Sequence, residues 1–148
     1  MNNNKMKQSV WLIVALVILF FFGRTDDLAT LPTTPADLSA TTVEQLFAKR
    51  QSDVQVEVSG IVTRLLTDDN KGSRHQRFLI KQQSGHSLLI VHNIDLAPRI
   101  ASLKAGDTVE VYGEYIWNNK GGLIHWTHHD PANRHPHGWI KHQDRLYQ

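Results

Sequence analysis

The sequence predicts a mainly β domain, a small five-stranded barrel preceded by a short helix and by an N-terminal transmembrane helix. Three observations lead there. Between Val54 and His128 apolar residues alternate with polar ones in five separate runs, which is the pattern of half-buried strands. Turn clusters such as Asp68-Asp69-Asn70-Lys71-Gly72-Ser73 and Asn118-Asn119-Lys120-Gly121-Gly122 divide the runs. A further run, the thirteen apolar residues from Val10 to Phe22, stands apart from this alternation. At 148 residues the chain holds one domain and an appended segment, not two ordinary domains.

Lys5 and Lys7 precede the apolar run and no charge falls between Lys7 and Arg24, the arrangement of an export signal. The run ends Phe20-Phe21-Phe22-Gly23 without a small-x-small cleavage pattern, so residues 1–23 read as an uncleaved signal anchor. The sixteen uncharged residues from Gln8 to Gly23 are short of the roughly 20 that cross about 30 Å of hydrocarbon; Lys7 and Arg24 snorkel to make up the difference. The positive-inside rule places Lys5 and Lys7 in the cytoplasm. The expected location is therefore a bacterial inner membrane, single-pass, with the C-terminal domain in the periplasm; the alternative is secretion after cleavage. Residues 24–37, with Pro32 and Pro35 among Thr and Ala, read as a linker, and residues 38–148 as the folded domain with a His-rich tail.

Thr41-Thr42-Val43-Glu44 suggests a capping box with Thr41 at the N-cap and Glu44 reaching back, opening a helix to about Arg50. Val54, Val56 and Val58 start a long first strand; Gly60 within it marks a bulge or a bend at a barrel corner. The second strand covers about Gln76–Gln82 and the third Leu88–His92. Asn93 to Leu103 allows a helical turn with Asp95 as N-cap. In the fourth strand Val109, Val111, Gly113, Tyr115 and Trp117 share one face, and the fifth covers about Leu123–His128. After His129 a tail rich in Pro, Gly and His wraps the barrel, held by Trp139, Ile140, Leu146 and Tyr147. Five strands with a bent first strand and a short connection between the third and fourth is the OB plan.

Four segments carry a family resemblance: His75-Gln76-Arg77-Phe78, His92-Asn93-Ile94-Asp95-Leu96-Ala97-Pro98-Arg99, Gly113-Glu114-Tyr115, and His125-Trp126-Thr127-His128-His129-Asp130-Pro131 with Gly138-Trp139. From about Asp53 to the C-terminus the chain resembles the bacterial family named only as domain of unknown function 3465. The resemblance implies an exported or membrane-anchored small domain and supplies no activity.

The formal charge is +2 and the pI about 9.0, but with Lys5 and Lys7 set aside the remainder carries 14 basic and 14 acidic residues. Phosphate contacts supply most nucleic-acid affinity, so this neutrality weakens a nucleic-acid partner. Cysteine is absent, which excludes thiolate metal sites and Cys nucleophiles. Histidine is the compositional outlier: of nine, six lie between His125 and His142. Imidazole is the commonest metal ligand, so His125, His128, His129, Asp130, His135 and His137 are the candidate metal ligands, for a divalent transition metal such as zinc. Taking the fifth strand through His128, His125 and Thr127 share one face and Ile124, Trp126 and His128 the other.

A second constellation comprises Arg74, His75 and Arg77 between Lys71 and Lys81; OB barrels bind chains of nucleotides or sugars across strands two and three. Tyr112, Trp117 and Trp126 are the aromatics placed to stack. His92, Asn93, Glu114 and Trp126 complete the ligand-binding candidates, although His92-Asn93-Ile94-Asp95 also suits a cap. The leading expectation is a membrane-anchored, exported binding module for a polar or polyanionic ligand. The alternative is a small metal-dependent hydrolase, phosphodiesterase- or nuclease-like, using the C-terminal histidines. No phosphate loop, dinucleotide fingerprint, EF-hand loop or H-E-x-x-H motif occurs.

Overall fold

The structure is a computed structural model that describes residues 41–148. The expected transmembrane helix, the linker and residues 38–40 of the expected domain lie outside the described residues. No helix among the described residues is long and apolar enough to cross a membrane.

The described part is mainly β, a closed five-strand barrel with one short helix. Helix α1, Val43–Lys49, opens on a capping box one residue later than expected: Gln45 N donates to Thr42 Oγ1 at 3.3 Å and Thr42 N donates to Gln45 Oε1 at 3.1 Å. Glu44 is thereby free to accept from the Ser84 hydroxyl instead. Val43 and Leu46, one turn apart, enter the hydrophobic core.

Strand β1, Val54–Leu65, is long enough to belong to two sheet neighbours. Its first part, Val54 to Ile61, pairs with β4, Thr108–Ile116, and its second part, Ile61 to Leu65, with β2, His75–Lys81. Gly60 sits at this handover, where a Cβ would lie 3.0 Å from the Lys81 carbonyl oxygen. The register shift falls later, between Val62 and Arg64, so the glycine admits the neighbouring strand and the bulge is separate from it. β2 continues antiparallel into β3, Ser87–Asn93. β3 pairs in parallel with β5, Leu123–His125, and β5 pairs antiparallel with β4, closing the ring β1-β2-β3-β5-β4. Val56, Val58, Phe78, Ile80, Leu88, Ile90, Val111, Tyr115 and Ile124 fill the interior. Between β3 and β4 a single helical turn forms, Ala97 N donating to Asn93 O at 3.1 Å. Asn93 rather than Asp95 caps the turn there, its Oδ1 accepting from Asp95 N at 2.9 Å.

The tail departs most from expectation. It forms a hairpin of β6, Trp139–His142, and β7, Arg145–Tyr147, added to β4 through Val109↔His142 and Val111↔Ile140. Gln143 and Asp144 at φ 50° and 60° supply its two-residue turn. Ile140 and Tyr147 are buried and Trp139 stacks on Tyr112 at 6.0 Å, whereas Leu146 is exposed. One edge of β4 thus receives β6 up to Tyr112 and β5 from Glu114 onward. Gly113 lies between, and any Cβ there would overlap the His125 carbonyl oxygen.

Candidate functional site

The gap between β5 and β6 places the site. β5 ends at His125, three residues early, because Trp126 adopts φ 50°, a left-handed conformation that a bulky residue rarely takes. The turn reverses the expected facing. Ile124 remains in the core, but Trp126 is only half-buried, and Thr127 and His128 are buried. Gly138, just before β6, closes against this turn: its N donates to His128 O at 2.9 Å, and a Cβ on it would overlap the Trp126 carbonyl oxygen. Residues 128–137 therefore form a loop pinned at both ends.

Asp130 organises that loop. Its carboxylate accepts from the backbone N of Ala132 (2.9 Å), Arg134 and His135 (3.1 Å). Burial pushes this carboxyl up, but the three N–H donors, aided by His135, outweigh it and hold the pKa at about 2. Asp130 N in turn donates to His137 Nδ1 at 3.0 Å, and the His137 ring stacks on His129 at 3.7 Å.

The loop covers an open cleft of about 440 Å³ on the barrel's outer face. One wall is the start of β2 and the end of β3, with His75 opposite Asn93 in register and Val91 beside them. The other wall is His125 and Trp126 from the end of β5, with His128, Asp130, Arg134 and His135 from the loop; Ser73 and Leu96 close the rim. The rings are ordered: His125 stacks on Trp126 at 4.8 Å, Trp126 on His135 at 4.2 Å, and His135 meets His128 edge-on at 5.3 Å. His128 Nδ1–H donates to His129 O at 2.7 Å and His135 Nδ1–H to Pro136 O at 2.8 Å, so each neutral ring has its lone pair on Nε2. Burial holds the His128 pKa below the usual imidazole value.

The candidate residues divide accordingly. His75, Asn93 and Trp126 of the ligand-binding set line the cleft, with His125, His128, Asp130 and His135 of the metal set. Arg74 lies outside it, paired with Asp95 at 2.6 Å. Arg77 turns away to donate to Thr67 O at 2.9 and 3.1 Å. Glu114 sits beside the cleft and pairs with His125 at 3.1 Å. His92 is a correction. As the third inward residue of β3 after Leu88 and Ile90 it is completely buried, beyond reach of a ligand. Its Nε2–H donates to Pro98 O at 3.2 Å, so Nδ1 accepts from the Thr127 hydroxyl at 2.8 Å. Burial pushes its pKa down to about 4.

The six metal candidates do not form a ligand set. Among the described residues no group of three or more His, Asp or Glu is arranged to hold a metal ion. The reason is local: Asp130 and His137 are occupied by backbone N–H groups, and His129 is stacked on His137. The three aromatics expected to stack on a ligand also have ring partners, Tyr112 with Trp139, Trp117 with Phe47, and Trp126 with two imidazoles. Arg134 was missed because nothing in a Pro- and His-rich tail marks one arginine over another. Val91 was legible, since outward residues of β3 alternate with the core set.

Compared with known families, residues 27–148 match the family described as a protein of unknown function, DUF3465. The chain belongs to the DUF3465 family. Every cleft residue of this DUF3465 protein falls within the match. No curated protein matches the chain.

Proposed function

We propose that this DUF3465 protein is a binding module: an OB-type barrel, held by residues 1–23 to the outer side of a bacterial inner membrane, that engages a polar, anion-bearing ligand in the cleft under the 128–137 loop. One observation carries the reading. Residues from the β2–β3 end and from the β5 exit, far apart in sequence, meet around a single cleft whose polar groups are ordered by the backbone, as binding sites require. The OB assignment rests on the ring order and on the placement of the cleft against strands two and three. The apolar run 10–22 between Lys7 and Arg24 supports the anchor and the periplasmic side.

Nucleic acid is disfavoured as the ligand, because the stacking aromatics are already paired and the residues beyond Lys7 carry no net charge. Metal-dependent hydrolysis fits the site less well, because Asp130 and His137 are committed to holding the loop. The test is tryptophan fluorescence of the full chain in detergent, titrated with inorganic phosphate, acidic saccharides and a single-stranded oligonucleotide at two salt concentrations. Saturable quenching by a small anion that weakens with salt is expected. No response to any of them at low salt would overturn the reading.

A further inference from the structure

The hydrogen-bonding state of the cleft limits what can fill it. The Nδ1–H of His128 is taken by the His129 carbonyl, so its Nε2, with no partner among the described residues, is an acceptor and needs a donor. His135 is held the same way by Pro136 O, with its Nε2 3.8 Å from Asp130 Oδ2. A phosphomonoester dianion, a sulfate or a carboxylate offers His128 Nε2 no hydrogen. Arg134 presents the opposite demand. Its guanidinium has no hydrogen-bond or ion-pair partner among the described residues, whereas the carboxylate of Asp130 beside it already accepts three N–H bonds. A fork of N–H donors of this kind matches a phosphate or carboxylate. On the other wall Asn93 Oδ1 is occupied by Asp95 N, which leaves the amide NH₂ as a donor. Stacking contributes little, because Trp126 already has His125 and His135 against it.

We propose that the cleft takes a small polyhydroxylated anion, a sugar phosphate or sugar acid, with the anionic group on Arg134 and a hydroxyl donating to His128 Nε2. This rests on the binding-module reading and names its ligand class. The volume of about 440 Å³ suits one such molecule rather than a polymer. Both arms of the ligand are needed, because an acceptor nitrogen left desolvated without a donor costs binding energy that an anion alone cannot recover.

Calorimetry on the full chain in detergent, with glucose 6-phosphate, glucuronate, sulfate and glucose as separate probes, tests it. At least one of the first two is expected to bind more than about tenfold tighter than both sulfate and glucose. Comparing glucose 6-phosphate with glucuronate tells which anionic group the fork prefers. Arg134→Gln, an exposed loop residue whose loss leaves the barrel intact, is expected to erase the preference over glucose. His128 is buried, so its role is read without substitution: imidazole nitrogen resonances should show Nε2 shifting on binding while Nδ1 keeps its proton. Sulfate binding as tightly as the hydroxylated anions, or a bound state that ignores Arg134→Gln and leaves Nε2 unmoved, would overturn the ligand class with the binding-module reading intact. Silence from all four probes and from the oligonucleotide would remove both.

Discussion

Single residues show how local chemistry sets behaviour here. Burial pushes the folded pKa of His92 down to about 4, from about 6.5 for an ordinary imidazole. Between those values the unfolded chain binds the additional proton, so stability is complete above about pH 6.5 and declines toward pH 4, by about 3 kcal/mol at roughly 1.4 kcal/mol per unit. Burial lowers His128 as well, so it adds to the loss of stability as pH falls below the usual imidazole value. Asp130 acts lower: its contribution is present above about pH 3.8 and disappears as pH falls through about 2. Urea unfolding at steps from pH 8 to pH 4 should show the first decline, and His92→Gln should flatten it while lowering stability at pH 8 through the altered bond to Thr127. Gly113 is steric. A methyl group there meets the His125 carbonyl, the Ile124 side chain and Thr127, so Gly113→Ala is expected to cost about 1–3 kcal/mol and to shift the indole fluorescence of Trp126 as the β5 exit moves.

At the scale of elements, the C-terminal hairpin belongs to the barrel. Ile140 is fully buried and His142 Nε2–H donates to Asp107 Oδ2 at 2.8 Å, tying β6 to the turn before β4. Ile140→Ala should therefore destabilise the whole domain by about 2–5 kcal/mol, measured by urea unfolding. The 128–137 loop depends instead on one side chain. Asp130→Ala removes the acceptor of three backbone N–H groups, so amide exchange at Ala132, Arg134 and His135 should rise to loop-opening rates while exchange in β1–β4 stays slow. Retained protection at those three amides would show that the end pins at Gly138 suffice. Element boundaries in the sequence failed where backbone geometry intervened. The capping box moved one residue because Gln45 competes equally well for the reciprocal bond, and β5 stopped at Trp126 because a left-handed residue ends a strand whatever its side chain favours.

Over the whole molecule, the charge and the apolar run address where the protein sits. Full-length protein is expected to stay with membranes in alkaline carbonate, and a C-terminal reporter active only outside the cytoplasm should be active; extraction into the soluble fraction would return the secreted alternative. The +2 charge and the histidine-rich end were legible from composition, and β1 to β4, their inward apolar faces and the turn clusters were legible from alternation, because a period of two reports which face is buried. The structure turns His92 inward with Leu88 and Ile90, although its chemistry suggested a ligand. Four histidines in one cleft were not legible as a set, nor was the commitment of Asp130 and His137 to the loop. Those depend on ring closure through β3 and β5, on Trp126 turning the chain and on Gly138 returning it, contacts between residues that no local pattern links. Composition and periodicity by themselves determined that the chain is mainly β and rich in imidazole at one end. Tertiary structure alone decided which imidazole nitrogens are engaged and which face the cleft, because a hydrogen bond is fixed by the position of a partner that sequence spacing does not encode.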